Sequence, residues 1–160
     1  MAVLSLLSDL KTIEGQAPLE FKLSTEKVII GRGSLAVRVD MFISAKNNGK
    51  EIISRKHAEI HLQNIPSDFV ITDLGALNGL FVNGVRVNRQ RLKHGDVIQF
   101  GGAAKVPFGT ILTVSDTCIK YKYICLEQNC NGSPMCNKTV EGVGHSSSNQ
   151  LSTNFQGHQP

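Results

Sequence analysis

No apolar run in this sequence approaches the roughly 18 residues that a membrane-spanning helix requires, so no such helix is expected. The opening MAVLSLLSDL is apolar, but it is short and carries no basic residue ahead of its apolar stretch, and it does not read as a signal peptide. The two Asn-x-Ser/Thr sequons, at Asn131 and Asn137, are therefore read as chance matches. No stretch sustains a helical period, and no P-loop, metal-binding triad or nucleophile elbow occurs, which argues against the common enzyme classes. Cysteine is absent before Cys118. The four residues Cys118, Cys125, Cys130 and Cys136 contain no Cys-x-x-Cys pair, the spacing that lets one turn present two thiolates to one ion. They are read as thiols in a reducing compartment, and no metal or cofactor is expected.

What is present is a moderately basic, strand-rich chain. Its 160 residues are 41% hydrophobic, enough for one domain with a core. Net charge is +4. Residues 1–126 hold 16 Lys/Arg against 11 Asp/Glu, a surplus of +5 that favours anionic partners without forming the dense basic stripe of a nucleic-acid binder. Composition shifts near residue 126, after which Asn, Gly, Ser, Gln and His dominate. Three segments are expected: 1–17, an arm or a first strand; 18–126, the domain; and 127–160, a disordered tail with too little apolar surface to offset its ordering entropy.

Within the domain, short apolar runs alternate with turn signals. Val28-Ile29-Ile30 is halted by Gly31-Arg32-Gly33, and Asn47-Asn48-Gly49 follows a second run, Val37 to Ile43. His57 to Leu62 alternates, with Ala58, Ile60 and Leu62 on one face. Pro66-Ser67-Asp68 turns the chain into Phe69-Val70-Ile71. Asn83-Gly84 sits between Leu80-Phe81-Val82 and Val85-Arg86-Val87, a hairpin signal because Asn and Gly tolerate positive φ. Val97 to Phe100, Thr110 to Val114 and Lys120 to Ile124 complete a set that predicts an all-β sandwich or barrel.

One junction is unlike the others. In EIISRKHAEI, residues 51–60, two strand-like segments meet at Ser54-Arg55-Lys56-His57, with none of the Gly, Pro, Asn or Asp that an ordinary turn prefers. A hydroxyl and two cations held between rigid strands suit an oxyanion: Arg forks onto phosphate, and Ser donates a short hydrogen bond. Gly31-Arg32-Gly33 and the segment from Asp73 to Gly79 interrupt strands in the same way.

Gly31-Arg32, Ser54-Arg55-x-His57, Asn78-Gly79 with Asn83-Gly84, and Gly95-Asp96, in this order between predicted strands, resemble the forkhead-associated (FHA) domain over about residues 20–124. The resemblance implies an eleven-stranded β-sandwich of two antiparallel sheets, binding phosphothreonine peptides with loops at one end. It implies that Arg32 supports the loops and contacts peptide, that Ser54 bonds phosphate, that Arg55 also reaches it, and that Asn78 holds the ligand backbone. Gly31, His57, Gly79 and Asn83 are implied as loop-supporting residues. The sequence departs from the family at Ala76-Leu77, where Ser-Thr or Ser-Ser is usual, and at Leu80 in place of Thr. The Leu35–Lys50 stretch is long for the family and reads as partly inserted near the binding end.

Plainer readings stand beside these. Taken singly, Arg32 is a solvated turn cation, Ser54-Arg55 a polar loop, and His57 a structural histidine. A Ser54, His57, Asp73 triad can be written down, but such sets arise readily by chance. The Arg86, Arg89, Arg91, Lys93 run reads as a solvated face. The expectation is a non-enzymatic phosphothreonine-binding module in intracellular signalling, nuclear in preference to cytoplasmic, whose partner is a phosphorylated protein and not a membrane or a nucleic acid. The alternatives are a degenerate FHA domain that associates independently of phosphate, favoured by Leu77, and a basic nucleic-acid binder with steep salt dependence.

Overall fold

Alternation of apolar and polar residues puts one face of each short strand into a shared core, and the chain meets that demand with strands alone among the described residues. The computed structural model describes residues 1–10, 14–64, 68–104, 106–112 and 118–126. The chain divides into two units, Met1–Cys130 and Asn131–Pro160. The second lies wholly outside the described residues. So do the rest of the expected tail, Cys130, Cys136, both sequons and the Pro66-Ser67 turn.

In chain order the strands are β1 (Ala2–Leu6), β2 (Gly15–Gln16), β3 (Glu20–Leu23), β4 (Lys27–Gly31), β5 (Met41–Phe42), β6 (Ser44–Asn47) and β7 (Lys50–Glu51). They continue with β8 (Ala58–Asn64), β9 (Asp68–Asp73), β10 (Leu80–Val82), β11 (Val85–Arg86), β12 (Arg89–Arg91), β13 (Val97–Phe100) and β14 (Ile119–Cys125). One sheet runs β11-β10-β13-β14-β1-β3, a second runs β12-β9-β8-β4-β5, and a small third runs β2-β6-β7. Pairing is antiparallel except between β4 and β5. The two large sheets form a sandwich of eleven strands. Leu4, Ile98, Phe100, Tyr121 and Tyr123 from one meet Val28, Ile30, Ala58, Ile60, Phe69 and Ile71 from the other in a single core. The Phe69 and Tyr123 rings meet edge to face across it at 6.2 Å.

Turn chemistry places the hairpins. Asn83 (φ 51°) and Gly84 (φ 79°) both take positive φ between β10 and β11, as do Asn48 and Gly49 between β6 and β7. Two expectations are revised. Of Val37 to Ile43, only Met41-Phe42 is in strand pairing; Ser34 and Val37 close a tight turn before it. Of Thr110 to Val114, Ile111 makes an isolated bridge to Val85, and residues 113–117 lie outside the described residues. The stretch suspected of being inserted supplies β5, β6 and the start of β7 at the sandwich margin.

The N-terminal segment is not peripheral. β1 lies between β14 and β3, in register Leu4 with Tyr123 and Phe21, and Ala2 and Leu4 are fully buried. Leu4→Ala should therefore cost about 2–5 kcal/mol, the usual loss for a buried Leu truncated to Ala. Urea unfolding checks this; a loss below about 0.5 kcal/mol, the scale of a surface substitution, would contradict the placement of β1.

Candidate functional site

Four loops converge at one end of the sandwich, and backbone geometry explains why. Gly31 closes β4 where no side chain fits: a Cβ there would run into the Arg55 carbonyl oxygen and lie 2.8 Å from that of Ser54. That approach lets the Arg32 amide donate to Ser54 O (3.2 Å) and the Gly33 amide to Arg55 O (3.0 Å). The Arg32 side chain adds Nε to Ile53 O at 2.9 Å. Its terminal nitrogens form no hydrogen bond to protein among the described residues.

His57 is the buried centre of the next loop. Its Nδ1 accepts the Ser54 amide at 3.1 Å, and its Nε2 lies 2.9 Å from Gly79 O. An amide can only donate, so Nδ1 is unprotonated and Nε2 carries the hydrogen given to Gly79. Burial holds the His57 pKa below its usual value, against the raising influence of the Gly79 bond and of Asp73. The neutral ring thus ties Ser54 to Gly79. The Leu77 amide donates to Ser54 Oγ at 3.3 Å, so the hydroxyl proton of Ser54 can point outward.

Asn78 completes the rim. Its Nδ2 donates to Ile52 O at 3.0 Å, which fixes the side chain and leaves Oδ1 available. The Ala103 amide donates to Asn78 O at 3.2 Å and the Gly101 amide to Gly79 O at 2.9 Å, so the segment after β13 props the loop from its other side. Gly79 has φ 82°, and a Cβ there would lie 2.9 Å from Arg86 Nε. Arg55 and Lys56 are exposed and form no ion pair among the described residues.

Arg32, Ser54, Arg55, Gly31, His57, Asn78 and Gly79 are thus brought together. Asn83 is not with them. Four residues beyond Gly79 along the chain, it receives its own support, donating to Asp96 Oδ1 and accepting the Val97 amide, both at 2.9 Å. It shapes the β10–β11 turn. The Ser54, His57, Asp73 triad does not form. Both His57 nitrogens bond backbone groups, and Asp73 is committed to the Ala76 amide (2.7 Å) and to Arg86. Nor is Arg86 part of a solvated face: it is buried against Asp73, while Arg89, Arg91 and Lys93 are exposed. Sequence reasoning missed Asp73 and Arg86 as supports. The only local signal was an Asp placed to cap a following turn.

The chain matches the family model of the FHA domain over residues 28–101. It contains an FHA domain. Over 49 residues it is 43% identical to the glycogen accumulation regulator GarA of Mycobacterium tuberculosis, a stretch covering 31% of this chain and 29% of that protein. It is also 43% identical over 49 residues to the oxoglutarate dehydrogenase inhibitor of Corynebacterium efficiens, covering 31% and 33%. The matched stretch thus spans about a third of these curated relatives. Full-length yeast Pml1p superposes with a TM-score of 0.53 at 19% identity, over 78% of this chain and 81% of that one. The FHA domain of CT664 from Chlamydia trachomatis gives 0.51 at 20%, over 79% and 98%. These two likenesses establish the fold.

A buried, neutral His57 predicts that acid destabilises this domain. A histidine with a lowered folded pKa binds its proton more readily in the unfolded chain. Its contribution is complete above the usual value of 6.5 and declines as pH falls from there towards the folded pKa. Melting temperature should therefore fall as pH drops below about 6.5, and that slope should flatten in His57→Gln. An equal slope in both proteins would show that His57 does not carry it.

Proposed function

We propose that this FHA domain binds phosphothreonine-bearing segments of partner proteins, as a regulatory module and not as a catalyst. One observation carries the reading: the half-buried Ser54 hydroxyl accepts the Leu77 amide, and the cations of the same loops, Arg32 and the exposed Arg55 and Lys56, form no ion pair among the described residues. Phosphorylation adds about −1.5 to −2 charge and three acceptor oxygens, which a preformed hydroxyl and guanidinium pair discriminates from an unmodified side chain. Asn78 is placed to hold the ligand backbone through Oδ1. The relatives, a regulator and an inhibitor, support a binding role. A glycogen accumulation regulator and an oxoglutarate dehydrogenase inhibitor of bacteria support a cytoplasmic location and give no support to the nuclear preference.

Arg32→Ala and Ser54→Ala should each weaken phosphopeptide binding by about 1.5–3 kcal/mol, the usual value of a charge-assisted hydrogen bond, while the domain stays folded. Calorimetry with matched phosphothreonine and unmodified peptides reads this directly; wild-type affinity in both variants would remove the proposal.

Leu77 favours a second reading, association independent of phosphate, because an apolar side chain stands where the family usually offers a hydroxyl. It is 62% exposed, so it does not pack beneath the loop. Leu77→Thr should tighten phosphothreonine binding by about 1 kcal/mol, or several-fold, and leave melting temperature and unmodified peptide unaffected. Binding that ignores phosphorylation in both proteins would favour the second reading. Binding that collapses with added salt would point to nucleic acid instead.

A further inference from the structure

The charged residue most deeply committed to the binding end is one that never reaches its surface. Arg86, on β11, is buried with its guanidinium between two rings, 5.7 Å from the Phe81 centroid and 5.1 Å from that of Phe108. Its Nη1 donates to Asp73 Oδ2 at 2.5 Å and to Leu80 O at 3.2 Å. Its Nε is buried with no hydrogen-bond partner and lies against Gly79, in the space a Cβ there would need. The other Asp73 oxygen holds the Ala76 amide, the Ala76 carbonyl accepts the Gly79 amide at 3.2 Å, and the next amide, that of Leu77, reaches Ser54 Oγ. An unbroken series of contacts therefore runs from Arg86 through Asp73 to the group read as the phosphate contact.

We propose that Arg86 is a positioning residue for ligand binding: its pair with Asp73 sets where Leu77 and Asn78 stand against Ser54. The inference rests on the phosphopeptide reading above. A buried ion pair is a poor device for stability alone, because desolvation of both charges offsets their attraction, and here one nitrogen is left unsatisfied as well. What the pair supplies is direction. The planar fork of Arg fixes the Asp73 carboxylate, and the carboxylate fixes the turn that follows it. Gly79 belongs to the same device, since only a residue without a side chain admits the guanidinium edge.

The test uses the full chain and a phosphothreonine peptide selected from a degenerate library on the wild-type protein. Arg86→Lys keeps the charge and loses the fork; Arg86→Gln loses both. Each should bind about tenfold more weakly, the scale of one charge-assisted hydrogen bond. Asp73→Asn should bind about as weakly, and the double variant Asp73→Asn/Arg86→Lys no more weakly than either single one, because both remove the same positioning element. Amide exchange at Ala76 and Leu77 should speed up in Arg86→Lys while exchange at Ile60 and Ile71 in the core does not. Full affinity in a folded Arg86 variant, additive losses in the double variant, or unchanged exchange at Ala76 and Leu77 would each overturn the proposal. Should neither Arg86 variant fold, Phe108→Ala, which removes one flanking ring and leaves the fork, serves instead: a several-fold loss is expected, and unaltered affinity refutes. If no peptide binds the wild-type protein, the parent reading fails, and the exchange measurement still decides whether Arg86 positions the loop.

Discussion

The binding end depends on a single buried imidazole. His57 accepts the amide that begins its own loop and donates to the carbonyl of Gly79, 22 residues away, while its ring meets Phe100 edge to face at 5.6 Å. Two loops that have no covalent reason to stay together are thereby held on one core residue. The arrangement works only while the ring is neutral, because a protonated Nδ1 cannot accept the Ser54 amide. Burial enforces that state, so packing and recognition draw on the same desolvation.

Charge is distributed in keeping with this. On the flanking sheet, cations find carboxylates: Lys27 with Glu59 at 2.6 Å and Arg91 with Asp68 at 2.5 Å. Exposed pairs of this kind contribute little to stability. Against the raising effect of desolvation, the Arg91 fork and the Asn64 side chain hold the Asp68 carboxyl below its usual pKa. At the loop end, Arg32, Arg55 and Lys56 lack carboxylate partners among the described residues. These cations stand on loops whose backbone is held by His57, Gly31 and Asn78.

The support extends beyond the loops that carry the recognition residues. Backbone amides of Gly101 and Ala103 hold Gly79 and Asn78, and Arg86 lies beneath them. Segments near residues 32, 54, 78, 86 and 102 meet at one end although they are scattered along the chain. The sandwich achieves this because β4, β8, β9, β10 and β13 all begin or end there.

Period and punctuation alone determined the class. Runs such as Val28 to Ile30, the alternation of Ala58, Ile60 and Leu62, and the Asn-Gly pairs bind strand and turn to local chemistry, and local chemistry is written in neighbouring residues. The same holds for Gly31, Arg32, Ser54, His57 and Asn78, whose unusual setting between strands marked them before any contact was known. Partnership across distance was not legible. Nothing near Arg86 distinguishes it from the exposed Arg89 and Arg91; it is buried because the β10–β11 hairpin turns it towards Asp73 and places it between two rings. Asn83, implied by the resemblance as a loop-supporting residue, braces the β10–β11 turn through Asp96 and Val97, partners thirteen and fourteen residues away. The N-terminal apolar segment was ambiguous because burial of β1 depends on β14, more than a hundred residues away. Side-chain type is a local property, whereas the partner that satisfies a buried charge or an unpaired strand edge is chosen only when the two sheets close on each other.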